Sequence, residues 1–195
     1  MKLRTWKRSV FLFLVLFGLL VTLPPAEGQN KTASAACGKA KIQIANPKYL
    51  VISSVIVAAE PPNGWDLDAT KTNPFYFLKT GEKYESAKTL MYVNIERLDD
   101  SLQNAVQRDE QVFRKGCPAS RIEETSQPEI LEQGCERKTQ LFYCEKINGA
   151  YVDLVTKISI NGLVIDVVLS ADNAAEIARY RQDYEQLLNH LALVN

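Results

Sequence analysis

Two Asn-Gly dipeptides constrain the fold of this chain more than any other feature. Asn148-Gly149 and Asn161-Gly162 are thirteen residues apart, and each lies between segments rich in β-branched and aromatic residues. Asn-Gly is typical of the two-residue type I′ turn, because both central residues of that turn need a positive φ angle. The spacing therefore predicts three consecutive antiparallel strands, a meander over residues 138–170.

If both turns have two residues, the register of the meander follows. Asp153 then lies opposite Cys144, and Lys157 lies opposite Asp166 as a cross-strand charge pair. One face of the meander is nearly all apolar and is the predicted core face. Its members are Leu141, Tyr143, Val152, Leu154, Thr156, Ile158, Ile160, Leu163, Ile165, Val167 and Leu169. The other face mixes charged and apolar residues, so we expect a helix to cover part of it.

Two helices flank the meander along the chain. The first is predicted to follow an N-cap at one of the aspartates at 99–100 and to end at Lys115. The second is predicted to follow a cap at Ser170 or Asp172 and to continue to about Leu193, with an apolar stripe along one side. Helices on both sides of an antiparallel sheet define an α+β fold.

Segments before the meander are also predicted to form strands. The predicted strands are Tyr49–Ala58, Lys88–Arg97 and Arg121–Thr125. Each segment is rich in β-branched and apolar residues, or alternates such residues with polar ones, as strands do. Pro61–Gly64 is a predicted turn, because proline, asparagine and glycine are typical turn residues. Trp65 follows this turn directly.

The order of these segments resembles a known family. Pro62-Asn63-Gly64-Trp65 follows an opening strand, and a helix, the meander, Val167–Ala171 and a final helix with spaced aromatic residues come after it. This order resembles the PsbP-like fold, which extrinsic subunits of the oxygen-evolving complex share with Mog-type Ran-binding proteins. The resemblance covers about residues 45–195. It implies an α/β/α sandwich in a single domain over 46–195, and it suggests an exported bacterial member.

What the resemblance implies about function is a role in binding. Members of this family are mostly binding or accessory proteins without catalytic activity. None of the family's functional residues can be placed on a matching position of this chain. The four cysteines lie outside the family pattern and imply a divergent branch.

The first 28 residues are typical of a secretory signal peptide. Four basic residues lie within Met1–Ser9, the apolar run Val10–Leu23 follows, and two prolines end it. The apolar run is shorter than the roughly 20 residues of a membrane span. We expect cleavage before Gln29, a flexible arm over 29–45, and a periplasmic or extracellular protein.

Removal of this segment changes the charge balance. Residues 1–28 contain four of the 23 basic residues and one of the 23 acidic residues, so the remaining chain has a net charge near −3. A mildly acidic protein has no general attraction to nucleic acid, so we expect none as a partner. We expect another protein or an envelope component instead. Ser34–Cys37 resembles a lipoprotein cleavage box, so membrane contact would come only through the signal peptide or a lipid on Cys37.

The cysteines predict disulfides rather than chemistry. Cys37, Cys117, Cys135 and Cys144 are even in number, and disulfides are typical of exported chains. If 137–146 is one strand, Cys135 and Cys144 lie about 30 Å apart, which is too far for a disulfide. We favour Cys117–Cys135, which brackets a turn-rich segment, and therefore Cys37–Cys144. No C-x-x-C motif occurs, so neither a zinc site nor a redox pair is expected.

Catalytic chemistry has little support. The single histidine, His190, excludes multi-histidine zinc sites. It lies near the end of the last predicted helix, where an exposed residue favoured by the helix dipole is expected rather than a catalytic base, so we expect no Ser-His-Asp or Cys-His arrangement. We expect no catalytic, cofactor-binding or metal-binding residues. One alternative is a small carboxylate-dependent hydrolase of envelope glycans that uses Asp66 and Asp68. Another alternative is a structural envelope protein.

The sequence nevertheless contains candidates for a ligand surface. Trp65 and the aromatic segment 74–77 lie near turn residues, where core packing is favoured over a ligand platform. The candidate surface consists of Trp65, Asp66, Asp68, Phe75, Tyr76 and Asp153. The sequence as a whole predicts an exported, disulfide-stabilised, non-catalytic binding or accessory domain.

Overall fold

The structure is a computed structural model, and it describes ten segments of the chain. These are residues 32–35, 41–43, 48–52, 55–71, 74–97, 101–125, 129–130, 135–145, 150–160 and 162–194. The predicted signal peptide over 1–28 and Cys37 lie outside the described residues.

The described residues form thirteen strands, two α-helices and one short 3-10 helix at Tyr84–Ser86. The first seven strands are β1 Thr32–Ala35, β2 Lys41–Gln43, β3 Lys48–Ile52, β4 Val55–Ala59, β5 Trp65–Leu67, β6 Phe75–Lys79 and β7 Thr89–Arg97. The remaining elements are α1 Leu102–Gly116, β8 Ser120–Glu124, β9 Glu129–Ile130, β10 Glu136–Cys144, β11 Tyr151–Ile160, β12 Leu163–Ala171, α2 Ala174–Asn189 and β13 Leu191–Val194. In the described part of the chain, neither helix is long and apolar enough to cross a membrane.

An eight-stranded antiparallel sheet is the centre of the fold. Its strands lie in the order β5-β6-β7-β12-β11-β10-β8, and β9 pairs with β10 at one end. The helices lie on opposite faces of this sheet. We call them the α2 face, on which Tyr184 reaches Thr156, and the α1 face, on which Phe113 stacks on Phe142. The predicted α+β class with helices on both faces of an antiparallel sheet is therefore confirmed.

The predicted meander is present as β10, β11 and β12, but one of its registers differs. Lys157 lies opposite Asp166, as the Asn-Gly turn at 161–162 predicts. Asp153, however, lies opposite Phe142 and not opposite Cys144. The observed pairing, which ends at Cys144 with Tyr151, is centred one residue before the Asn148-Gly149 dipeptide, so each residue of β10 has a partner two positions away from the predicted one. A shift of two keeps every side chain on its face, so the predicted core face is correct.

The α2 face forms the main hydrophobic core. Residues of β6, β7, β11 and β12 alternate into it and meet α2. Its fully buried members include Phe77, Val93, Ile165, Leu169 and Leu187. Burial of this continuous apolar layer is the main source of stability, because burying each large apolar side chain contributes about 1.5–3 kcal/mol.

A second, five-stranded sheet in the order β2-β1-β13-β4-β3 corrects three predictions. The last helix does not continue to Leu193 but ends at Asn189, and Leu191–Val194 forms β13. The predicted strand 49–58 is a hairpin of two strands, β3 and β4. The segment 29–45, predicted as a flexible arm, contributes β1 and β2. β1 pairs with the side of β13 that would otherwise be a free edge.

The first helix also begins later than predicted. Its N-cap is Ser101, whose hydroxyl accepts a hydrogen bond of 3.2 Å from the backbone N–H of Asn104. Serine is as good a cap as aspartate, because either side-chain oxygen can accept from the first turn of a helix. The predicted caps at 99–100 lie outside the described residues. The helix ends at Gly116, next to Cys117, and this end is covalently attached to the sheet as described below.

Candidate functional site: a tyrosine surface around Asp153

A disulfide fixes the end of α1 to the sheet and differs from both predicted pairs. Cys117 is bonded to Cys144, with a Cα–Cα distance of 5.9 Å. The predictions Cys117–Cys135 and Cys37–Cys144 are therefore wrong. The physical reason is that β8 pairs with β10 and places Ser120 opposite Cys144, which brings the preceding Cys117 alongside. Cys135 is also disulfide-bonded and lies at the other end of β10.

Under α1, the sheet buries charged side chains as well as apolar ones such as Phe142 and Val168. The Nζ of Lys157 is 2.8 Å from Oδ1 of Asp166 and also contacts the carboxylate of Asp109 on α1. The Lys157 side chain is only 3% exposed. Burial by itself would lower the pKa of Lys157, but the charges of Asp166 and Asp109 raise it overall. The lysine therefore stays charged and connects helix to sheet.

Helix α1 covers only one side of this face. It contacts β11 and β8 most closely, where Phe113 stacks on Phe142 with ring centroids 4.9 Å apart. Gln140 donates a 2.6 Å hydrogen bond to Glu110 of the helix at the same place. Towards β7 and β6, the side chains of the α1 face are half-exposed.

Three of the half-exposed side chains in this region are tyrosines. Tyr76 on β6 lies opposite Tyr92 on β7, and their ring centroids are 5.6 Å apart. Tyr84, from the 3-10 helix, stacks edge-on against Tyr76 at 4.7 Å. Burial and a hydrogen bond with Tyr84 raise the pKa of Tyr76 to about 12, so the ring stays neutral at any physiological pH.

A half-buried acid lies on the same face of the sheet as these tyrosines. Asp153 is on β11, between Phe142 and Ser170 of the neighbouring strands. Burial raises its pKa to about 6, although a hydrogen bond with Ser170 acts in the opposite direction. The Oδ1 atom of Asp153 has no hydrogen-bond partner in the part of the chain that the structure describes. Such an unsatisfied buried carboxylate oxygen is costly, and it is typical of functional positions.

The charge of this acid reaches two tyrosines. Burial raises the pKa of both Tyr92 and Tyr151, and the negative charge of Asp153 raises each pKa further. We name the set Tyr76, Tyr84, Tyr92, Tyr151 and Asp153 the tyrosine surface. Aromatic rings around a carboxylate are suited to a positively charged group, because the ring faces and the acid both attract a cation.

The structure divides the predicted ligand surface. Tyr76 and Asp153 both lie in the tyrosine surface. Asp66 lies on the same face of the sheet, but on edge strand β5, four strands from Asp153 and therefore about 19 Å away. Asp68 follows β5 and accepts hydrogen bonds from the backbone N–H and hydroxyl of Thr70 at 2.9 and 2.6 Å. These bonds lower the pKa of Asp68, whereas a catalytic general acid needs a raised pKa.

The other two members of the predicted ligand surface belong to the core. Trp65 and Phe75 point to the α2 face and are 2% and 7% exposed. The indole Nε1 of Trp65 donates a 2.8 Å hydrogen bond to Asp183 of α2, and its ring meets that of Tyr180 edge-on at 5.6 Å. The Nζ of Lys79 lies 4.2 Å from the Trp65 ring and 3.9 Å from the Tyr180 ring. These contacts make Trp65 an anchor between sheet and helix.

Sequence reasoning missed Tyr84, Tyr92 and Tyr151. Tyr151 could have been found, because it lies two residues from Asp153 on a predicted strand and therefore shares its face. Tyr92 and Tyr84 carry no such signal, since only the pairing of β6 with β7 brings them to Tyr76.

Comparison with known proteins supports the fold alone. Neither protein-family models nor curated proteins match the chain. Among solved structures, LpqN of Mycobacterium tuberculosis, described as involved in cell envelope biogenesis, matches with a TM-score of 0.55 and 10% identity. The match covers 77% of this chain and 91% of LpqN. The Saccharomyces cerevisiae Ran-binding protein Mog1p matches with a TM-score of 0.51 and 13% identity, over 77% of this chain and 96% of Mog1p. The predicted resemblance to the PsbP-like, Mog-type fold is confirmed.

Proposed function

We propose that this chain is an exported, non-catalytic binding domain that engages a protein partner through the tyrosine surface. The observation that carries this proposal is Asp153, a half-buried acid with one buried, unpartnered oxygen, whose charge reaches the half-exposed Tyr92 and Tyr151 on the same face of the sheet. The partner presents a lysine or arginine side chain, which supplies the missing positive charge and hydrogen-bond donors. Charge-assisted hydrogen bonds of this kind are the strong ones in protein interfaces.

The composition of the surface favours a protein over a small ligand. Tyrosine is enriched in interfaces, because it offers a large rigid contact area and a hydroxyl at its tip. The Tyr76 and Tyr92 rings lie side by side on neighbouring strands, so they form a broad contact area on the sheet. The Cys117–Cys144 disulfide holds α1 to one side and leaves this area accessible.

Analogy with proteins of the same fold agrees with a binding role. Mog1p is described as a Ran-binding protein and LpqN as involved in cell envelope biogenesis. At 10–13% identity these roles serve as analogies only. The signal-like segment 1–28 and the disulfide support export into an oxidising compartment, and the envelope is where we expect the partner.

The test is capture followed by measured binding. The disulfide-bonded protein is used to capture proteins from the native envelope fraction, and the captured protein is purified for affinity measurement. Tyr84→Ala, Tyr151→Ala and Asp153→Asn are each expected to weaken binding at least about tenfold, because hot-spot tyrosines and buried charges dominate interfaces. Tyr49→Ala is the matched control, since Tyr49 is a 51% exposed tyrosine on the other sheet.

Two results would contradict the proposal. One is a captured protein whose affinity is unchanged in all three surface variants. The other is an equal loss in the Tyr49→Ala control, which would place the contact on a different sheet. A far-UV circular dichroism spectrum like that of the wild type and cooperative thermal unfolding are needed to show that each of the four variants is folded.

A further inference from the structure

A cleft on the α2 face is separate from the tyrosine surface. It has a volume of about 310 Å³ and lies between the C-terminal half of α2 and strands β10 and β11. Two arginines, three threonines, a tyrosine, a glutamate, an asparagine and two leucines line it. This volume is at the lower end of the range of ligand sites, so the cleft can hold only a small molecule.

A row of hydroxyl groups leads from the core to this cleft. Tyr184 donates a hydrogen bond of 3.0 Å to the carbonyl of Val167, and its hydroxyl is 2.5 Å from that of Thr156. The Thr156 hydroxyl is in turn 2.9 Å from that of Thr139. Tyr184 and Thr156 are 2% and 0% exposed, so this row is a rigid polar floor in an otherwise apolar layer. A floor of hydroxyls is suited to a ligand that itself carries hydroxyl groups.

Two guanidinium groups approach the same floor from different elements. Arg137 is on β10 and Arg181 is on α2. Both arginines line the cleft together with Tyr184. Burial raises the pKa of Tyr184, whereas its hydrogen bonds with Thr156 and the positive charges of both arginines act in the opposite direction. A planar guanidinium fork matches the oxygen geometry of a phosphate or carboxylate.

One negative side chain also lines the cleft. The Nε of Arg181 is 3.0 Å from Oε1 of Glu185, and both side chains are more than half exposed. Exposed pairs one helical turn apart contribute little to stability, so a ligand anion can replace this contact. The three charged groups of the cleft sum to one positive charge.

We propose that this cleft binds a small hydroxylated molecule that carries a single oxyanion group, a phosphate or a carboxylate. The two arginines bind the oxyanion, and the more exposed hydroxyls of Thr125 and Thr139, at the outer end of the row, bind the hydroxyl groups. This binding is independent of the protein partner proposed above, because the two sites lie on opposite faces of the sheet.

The proposal is tested with three matched probes on the disulfide-bonded chain. Glucose 6-phosphate, gluconate and neutral glucose are titrated to about 50 mM while the backbone amide signals are followed by NMR. At least one of the charged probes is expected to shift the signals of Thr139, Arg181 and Glu185 in a saturable way, and glucose is expected to leave them unchanged. A stronger response to glucose 6-phosphate identifies the phosphate, and a stronger response to gluconate identifies the carboxylate.

Variants separate a specific site from general charge. Arg137→Gln and Arg181→Gln are each expected to weaken binding about tenfold, which equals the loss of one charge-assisted contact. Arg179→Gln is the control, because Arg179 lies on the same helix in an exposed pair with Glu176 but does not line the cleft. Raising the salt from about 20 to about 200 mM is expected to weaken binding several-fold.

Three outcomes would overturn the proposal. These are the absence of saturable shifts with either charged probe, equal binding of glucose, and an Arg179→Gln loss as large as that of Arg181→Gln. Because Arg137→Gln and Arg181→Gln are conservative changes at half-buried and exposed positions, both variants are expected to fold, and their amide spectra verify this.

Discussion

The two faces of the eight-stranded sheet are built in different ways. On the α2 face, Phe77 and Leu169 are completely buried among apolar neighbours, and the polar Thr156 is satisfied by Tyr184. On the α1 face, the buried side chains include the ion pair of Lys157 and Asp166. The same strands thus have one side that resembles a protein core and one side that resembles an interface.

The two faces therefore have different roles: the α2 face stabilises the fold, and the α1 face is the one proposed to bind a partner. Apolar burial is non-directional and stabilises the fold wherever it occurs. A buried ion pair adds little net stability, because removing both charges from water costs about as much as their attraction returns. What the charged pairs and the Cys117–Cys144 disulfide do instead is hold α1 in one place. The consequence is that the half-exposed tyrosines on the same face as Asp153 remain uncovered beside the helix.

The largest effect is expected from removing a core side chain. Phe77→Ala should lower the free energy of unfolding by about 4 kcal/mol, because it removes a fully buried ring and leaves a cavity. Tyr76→Ala changes the adjacent residue of the same strand on the opposite, half-exposed face, and should cost less than about half as much. Urea denaturation of both variants measures the difference. Equal losses would show that the two faces contribute alike.

The next effect concerns the ion pair on the α1 face. Lys157→Met should lower the free energy of unfolding by about 3 kcal/mol, because it leaves the 9% exposed Asp166 side chain without its counter-charge. Adding Asp166→Leu should recover most of this loss, since an apolar pair replaces a buried charge. A double-mutant cycle at neutral pH tests both steps. Additive losses would mean that the two side chains do not interact.

The smallest effect is a dependence on pH at the tyrosine surface. Asp153 has a pKa of about 6 in the folded chain against an ordinary value of 3.8, so the folded state holds its proton more tightly. The resulting stability is present below pH 4 and is lost as the pH rises through 6. The free energy of unfolding of Asp153→Asn, relative to that of the wild type, should therefore increase by on the order of 2 kcal/mol between pH 4 and pH 7.

Asp68→Asn is the control for this titration. Hydrogen bonds from Thr70 lower the pKa of Asp68, so its contribution is present above the ordinary pKa and is lost as the pH falls. Its stability difference from wild type should have the opposite sign. If the stability difference between Asp153→Asn and the wild type did not depend on pH, Asp153 would not have a raised pKa in the folded chain and would not support the proposed binding surface.

Much of the fold could be predicted from local patterns. The Asn-Gly turn at 161–162 and the alternation around it were sufficient for the Lys157–Asp166 pair and for the core face. The register of β10 with β11 was not predictable from Asn148-Gly149, because the observed pairing is centred one residue before this dipeptide. The strand Leu191–Val194 was missed for a related reason, since its apolar residues also fit the end of a helix and only the neighbours β1 and β4 favour a strand.

The candidate site was less predictable than the fold. Tyr76 and Asp153 were among the predicted surface residues, but Trp65 and Phe75 turned out to be core anchors. Aromatic side chains serve both purposes, so their identity does not tell which face of a strand they occupy. Tyr92 joins the site through strand pairing alone.

By itself, the sequence determined the class of the fold, the meander and the face of each meander strand that turns to the core. These follow from turn chemistry and from alternation with a period of two, which act over a few residues. Only the tertiary structure decided that Cys117 pairs with Cys144, that β13 completes a second sheet and that Asp153 lies among tyrosines. Each of these depends on contacts between residues far apart in the chain, and no local pattern specifies which distant segments become neighbours.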